Sequence, residues 1–311
     1  MKVWTKDEIV AQFDAARAVR MIEDGLIASS RGQVQLPPVQ NFQFTDADGD
    51  CCVKSAYVAD AETFVVKVST GFYRNPSRGL PSNNGLMLAF SAHTGEPVAL
   101  LQDEGWLTCV RTALAGQIVA RLLAPSAVEA IGVIGTGEQA RLQLEHLMPV
   151  TACRTVYVWG RGEAQLQAFA HYAETLGFRV HTTQDAQTVA QHARLIVTTT
   201  PSRGPLLLRE WIHPGTHITA VGADGPGKQE LDPTIIGAAN LVVADSIAQC
   251  VAYGEISHAV SAGLVAKDTL IELGAALAAG RRLREHDDQI TVADLTGVAV
   301  QDSAIAGSVL V

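Results

Sequence analysis

Polar and apolar residues alternate along this chain in two distinct rhythms. The N-terminal stretch reads as helix. Thr5 followed by Glu8 forms a capping box, Ile9, Phe13 and Ala16 fall on one face, and Gly25 closes the segment. From residue 31 the period drops to two. Residues 33–39 alternate weakly and residues 51–58 and 63–69 clearly, with a polar turn at 45–50. Residues 86–91 and 97–102 read as further strands around a turn at 93–96. This pattern predicts an antiparallel, meander-like sheet. Residues 71–85, GFYRNPSRGLPSNNG, interrupt it as a long loop of the kind that often binds or covers a ligand.

A long helix is predicted over 107–124, ending before Pro125, and the rhythm then changes to strand–helix alternation. Strands are expected at 130–134, 155–159, 179–183, 195–199, 217–221 and 240–244, with helices at 138–148, 164–176, 185–193 and 232–237. In the last of these Asp232 can cap and Pro233 suits the first helical position. Six strands with intervening helices imply an α/β fold with a doubly wound parallel sheet. A helix near 269–283, a charged turn, a strand-like 290–295 and a small-residue tail able to form helix complete the chain.

Composition narrows the class without altering that picture. The 311 residues suggest about two domains, and 48% hydrophobic with 18% charged residues describes a globular chain. A formal charge of −9 argues against nucleic acid or an anionic membrane as partner. No apolar run reaches the roughly 18 residues of a spanning helix, and no basic-then-apolar leader opens the chain. The five cysteines show no CxxC or zinc spacing, so reduced thiols in a cytoplasmic protein are expected. The histidines have no metal-ligand spacing, and no metal is expected. His213 and His217 are separated by Pro214 and Gly215, which forbid a shared helix. GxSxG, HExxH, Walker and kinase motifs are absent.

The stretch 130–140, AIGVIGTGEQA, carries the strongest chemical signal. A buried strand runs into Gly135, which permits a tight turn. Gly137 lets backbone approach a ligand closely, and Ala140 lets helix and strand pack together. This is the Ala form of the dinucleotide-binding fingerprint, and the helix N-terminus favours a pyrophosphate. After the second strand of this region, where NAD enzymes usually carry an acid for the ribose, stand Gly160 and Arg161. Arginine pairs with a 2′-phosphate, so NADP(H) is favoured; Glu163 nearby keeps NAD(H) possible. Thr199, Val221 and Gly222, at the carboxyl ends of later strands, join the candidate cofactor contacts.

Three further residues invite a chemical reading. Lys67 shares a strand face with Val65 and Ser69, a face that is either solvated or lines a cleft beside the long loop. Arg111 sits on an apolar helix face beside Leu107, Leu114 and Ala115. It needs a buried partner, either a substrate carboxylate or an acidic residue of its own domain. Asp224 follows a predicted strand, where it can move protons in a dry site or simply shape a turn with Gly225 and Pro226.

Taken together, FVVKVSTGFYRNPSRGLPSNNG, HTGEP, DEGWLTCVRTALAG, IGVIGTGEQA, VGADGPGKQELD and TGVAVQD resemble, in this order, the ornithine cyclodeaminase/mu-crystallin family. The resemblance covers nearly the whole chain. It implies a homodimer with a split substrate-binding and dimerisation domain, residues 1–112 plus 294–311, and a Rossmann domain, 113–293, inserted into it. It also implies that Lys67 and Arg111 contact the substrate carboxylate or its reacting nitrogen, and that Thr108 and Thr112 flank that pocket. Asp224 would then be the acid/base group, while Gly135, Gly137, Glu138 and Gln139 cradle the pyrophosphate and Arg161 lies near the ribose. The family includes cyclodeaminases, ketimine reductases, amino-acid dehydrogenases and a ligand-binding crystallin. Lys54, where the cyclodeaminases align an acid, would repel the second ammonium of a diamine. With Gly160-Arg161, it favours a reductase of a small cyclic ketimine such as Δ1-pyrroline-2-carboxylate, or a small amino-acid dehydrogenase, over an ornithine cyclodeaminase or a non-enzymatic binding protein.

Overall fold

Two sheets of opposite construction account for the two rhythms. The computed structural model describes residues 1–310, and the chain divides into one unit of residues 1–111 with 298 onward and another of residues 112–297. The first unit contains β1 (Lys2–Thr5), α1 (Lys6–Gln12), α2 (Ala15–Ser30), β2 (Val34–Gln35), β3 (Gln40–Phe44), β4 (Gly49–Val58), β5 (Thr63–Phe72), β6 (Asn83–Ser91) and β7 (Pro97–Gln102). They form a seven-stranded sheet in the order β1-β7-β6-β5-β4-β2, with β3 also paired to β4. The meander is antiparallel, but β1, whose four residues are too few to show a period, adds in parallel to β7.

Two expectations for this unit are corrected. The N-terminal helix is two helices. The Thr5–Glu8 capping box starts α1 as read, but the chain turns extended at Phe13 and Asp14 caps α2 by accepting from the Arg17 amide at 3.0 Å. Ala16 is exposed, and the buried stripe of α2 is Ala18, Val19, Ile22 and Leu26. Gly25 does not end the helix. It lies buried inside α2, where a Cβ would stand 3.0 Å from Cγ2 of Val300 on the C-terminal helix Ala299–Leu310, so close packing explains the glycine. The long loop is also shorter than read, because β5 and β6 extend into it from both sides and leave residues 73–82. That C-terminal helix, helical as expected of the tail, packs on α2, β4 and β5 and buries Val300, Ile305, Ala306 and Val309 completely.

Helix α3 (Trp106–Leu123) carries the chain into the second unit. There follow β8 (Ile131–Ile134), α4 (Glu138–Leu147), β9 (Thr155–Trp159), α5 (Glu163–Thr175), β10 (Arg179–Thr183), α6 (Ala186–His192), β11 (Leu195–Thr198), β12 (Arg203–Leu207), β13 (His217–Ala220), β14 (Gln229–Leu231), α7 (Pro233–Ala238), β15 (Leu241–Ala244), α8 (Ile247–Ala252), α9 (Glu255–Ser261), β16 (Ile271–Glu272), α10 (Leu273–Ala278) and β17 (Thr291–Asp294). Eight of these strands make an all-parallel sheet in the order β10-β9-β8-β11-β13-β17-β15-β16. This is the Rossmann arrangement, with the order reversing between β8 and β11. Strands β8, β11, β13 and β17 are buried at every residue, as strands covered on both faces must be.

The correction here concerns the last third. The strand read at 290–295 does not trail the sheet but inserts between β13 and β15. The helix expected over 269–283 shrinks to the six residues of α10 after the short strand β16. Replacing Gly25 with Leu should drive a side chain into Val300 and destabilise the first unit by about 1–3 kcal/mol, with the native sheet signal otherwise kept. Urea unfolding followed by circular dichroism checks this.

Candidate functional site

In the first unit one buried carboxylate gathers two of the predicted site residues. Lys67 on β5 is 2% exposed, so its strand face is covered rather than solvated. Its Nζ lies 3.0 Å from Oδ1 and 2.9 Å from Oδ2 of Asp302 on the C-terminal helix. Arg111 on α3 donates from Nε to Asp302 Oδ1 at 2.9 Å and from Nη1 to Gln301 Oε1 at 3.0 Å. Of the two partners open to Arg111 on sequence, the chain itself supplies an acidic residue. Consecutive residues diverge around a helix, and the guanidinium spans Asp302 and Gln301 by using a different nitrogen for each. Lys54 stands directly opposite Lys67 across the β4–β5 pair and is buried beside it.

Charge explains the protonation of this cluster. Burial pushes the Lys67 ammonium down to about 8, with Asp302 opposing the shift and Arg111 and Lys54 adding to it. Burial also works against the Asp302 carboxylate, yet Lys67, Arg111 and Lys54 together hold it below its ordinary range. Two cations against one carboxylate leave a positive excess that a substrate carboxylate can neutralise. Asp103, whose carboxylate accepts from the Leu107 amide at 2.8 Å at the start of α3, is pushed up to about 6 by burial. Thr108, half-buried, lies one helical turn before Arg111, and Thr112, also half-buried, opens the second unit.

The second unit carries a nucleotide-shaped turn. Gly135 has φ of +121°, a conformation that an L side chain rarely adopts, and a Cβ there would stand 2.5 Å from Thr199 Oγ1. Gly137 caps α4 without any side-chain hydrogen bond, and a Cβ on it would meet only open space. Uncapped amides at the start of a ten-residue helix, beside room left by a glycine, fit a dinucleotide pyrophosphate. Glu138 and Gln139 open that helix, and Ala140 is fully buried against the sheet. Arg161 is exposed between Gly160 and Gly162 just after β9, while Glu163 accepts from Gln167 at 2.8 Å. Thr199, Val221 and Gly222 lie at the carboxyl ends of β11 and β13, beside the fingerprint.

Asp224 sits differently from a proton carrier in a dry cleft. Its side chain is 55% exposed and Oδ1 takes the Lys228 ammonium at 2.6 Å. Sequence reasoning missed Gln301 and Asp302 as partners of Arg111 and Lys67. Asp302 stands 235 residues from Lys67 and 191 from Arg111, so no local spacing can join them. Its one signal is an acid within an otherwise small and apolar tail, TGVAVQD.

Comparison with known proteins assigns the chain. A model of the ornithine cyclodeaminase/mu-crystallin family matches residues 2–310. The chain belongs to this family. A Rhizobium meliloti protein that carries the provisional name of a dehydrogenase is 42% identical over 98% of this chain and 94% of its own. An archaeal alanine dehydrogenase dimer solved with bound NAD is 34% identical with a TM-score of 0.90, over 99% of this chain and 94% of that one. Δ1-Pyrroline-2-carboxylate reductase from Thermococcus litoralis, solved with NADH and L-proline, is 25% identical with a TM-score of 0.92, over 99% and 96%. Both of these solved relatives hold a nicotinamide dinucleotide. Among the described residues of this family member no helix is long and apolar enough to cross a membrane.

Asp302→Asn should strand two buried cations and destabilise the protein by about 3–5 kcal/mol, far more than the exposed Lys6–Glu104 pair would lose on Glu104→Gln. Paired denaturant titrations of the two variants give the comparison.

Proposed function

We propose that this protein is an NAD(P)H-dependent reductase of a small ketimine bearing a carboxylate on the imine carbon, such as Δ1-pyrroline-2-carboxylate. The observation that carries the reading is the cationic excess around Asp302, built from Lys67 and Arg111 and buried away from water. A carboxylate entering such a site gains charge-assisted hydrogen bonds at low competition from solvent. The bound nicotinamide supplies the reducing equivalent. Arg111, helped by Lys67, orients the carboxylate and so fixes the neighbouring imine carbon, while Thr108 and Thr112 flank it. Such prepositioning supplies much of the rate of a two-reactant step. Asp224, open to solvent and held in place by its ion pair with Lys228, relays a proton from water to the imine nitrogen.

Gly135, Gly137, Glu138 and Gln139 hold the pyrophosphate, and Thr199, Val221 and Gly222 line the nicotinamide side. Arg161 supports a preference for NADPH, since it is exposed where a 2′-phosphate would lie and the nearby Glu163 is engaged by Gln167. The protein acts as a homodimer through the sheet of its first unit. In support, every residue of β3 is exposed, Phe42 and Phe44 at 52% and 44%, and the archaeal relative is a dimer.

The test is oxidation of NADPH and NADH with pyrroline-2-carboxylate, followed by absorbance. Arg111→Ala should raise KM for the ketimine about 100-fold or more, whereas Asp224→Asn should cut kcat about 100-fold and leave cofactor affinity near wild type. Ammonia release from ornithine with no ketimine reduction would overturn the reading. Because Lys67 loses its proton near 8, the cation is present below that pH and lost above it, so kcat/KM for the ketimine should fall as pH rises through about 8. A pH–rate profile spanning both sides of that value reads this limb.

A further inference from the structure

The loops that leave β11 and β13 are joined by a buried carboxylate that the reaction scheme above does not use. Beyond Thr198 and Ala220 the two strands stop pairing, which takes the amides of Thr200 and Gly222 out of the ladder. Glu230 supplies their acceptors. Oε1 accepts from the Thr200 amide at 2.6 Å and Oε2 from the Gly222 amide at 2.9 Å, with the side chain fully buried. Glutamine cannot replace it without loss, since one end of its amide is a donor and would face a donor. Glycine at 222 is required by the same closeness, because a Cβ there would strike both the Thr200 carbonyl and the Glu230 carboxylate.

Glu230 is itself held. The Glu255 carboxylate accepts from the Glu230 amide at 2.6 Å and the Leu231 amide at 3.1 Å, and Asp294 accepts from the Ile256 amide at 2.9 Å. Among the described residues no lysine or arginine pairs with any of these three acids. Burial pushes Glu230 up to about 7. Keeping an acid there without a cation is costly, and a plain loop closure does not need it. The loops it joins are the ones beside the fingerprint. Thr199 donates to the Ile134 carbonyl at 3.1 Å and abuts Gly135, and the loop after β13 continues to Asp224.

We infer that Glu230 is a positioning residue for the cofactor, a carboxylate strap that fixes the Thr199–Thr200 and Val221–Gly222 backbones in the arrangement the nicotinamide end requires. The inference rests on the reductase reading for where the nicotinamide end lies, but its test reads cofactor binding without substrate. Kd for NADPH and NADH is measured by nicotinamide fluorescence on wild type, Glu230→Gln and Glu255→Gln, with melting temperatures alongside. Glu255 touches neither loop and serves as the matched buried acid. Glu230→Gln should weaken reduced cofactor about tenfold or more, while KM for pyrroline-2-carboxylate at saturating cofactor stays within about twofold. Glu255→Gln should lose melting temperature with a smaller change in Kd. An unchanged cofactor Kd in folded Glu230→Gln would overturn the inference, as would a larger Kd loss in Glu255→Gln than in Glu230→Gln. Should Glu230→Gln fail to fold, Glu230→Asp keeps the charge but is one methylene too short to reach both amides, and the same tenfold loss is expected. Tight cofactor binding by wild type without any ketimine reduction would remove the reductase reading and leave the strap standing.

Discussion

Burying Lys67 is possible only because Asp302 comes to meet it. A lysine with 2% exposure on the covered face of a sheet would lose its hydration with nothing in return, and the same holds for Arg111 on its apolar helix face. One carboxylate answers both, at 2.9–3.0 Å, and lies at the far end of the chain. The C-terminal helix therefore has a chemical as well as a packing reason to return to the first sheet. The segment bearing the counter-ion is the one that completes the discontinuous first unit. Such a cluster adds little net stability relative to apolar side chains, because desolvation consumes most of the Coulomb gain. Under the proposed function, what the cluster offers a ligand is a positive excess already stripped of water.

The second unit solves a buried-charge problem in the opposite way. Glu230 and Glu255 are satisfied by backbone amides instead of cations, and burial pushes both upward, whereas Asp302 is held low by its neighbours. The difference suits the two tasks. A carboxylate flanked by cations sets a local charge, while a carboxylate gripping amides sets a backbone shape. Recognition of a substrate carboxylate calls for the first, and a wide, flat ligand laid across strand ends calls for the second.

How much of this is legible in sequence depends on range. The turn at Gly135 and Gly137, six strands of the large parallel sheet between Ile131 and Ala244 and the capping box at Thr5 are encoded within a dozen residues, and local pattern finds them, whereas the short pair β12 and β14 escapes it. The break at Phe13 escapes because a helical period continues across it, and only Asp14 as a second cap marks the restart. Thr291–Asp294 reads as a strand but not as an inner one, because a short apolar run is the same string at an edge or in the centre. Asp302 and Glu230 escape for the converse reason. Each is an acid whose partners come from distant elements, and acids are ordinarily solvated.

Lys54 bears on which reaction the cluster serves. Like charges placed directly opposite on an antiparallel pair are destabilising, and here the pair is Lys54 and Lys67, both buried. Its charge acts on Asp302 in the same sense as those of Lys67 and Arg111. A diamine substrate would bring an ammonium towards a region already rich in cations, at a cost that falls on binding itself. A monocarboxylic ketimine carries no distant cation and meets no such penalty. The electrostatics of this one strand pair thus support reduction of a carboxylate-bearing imine over cyclisation of a diamine.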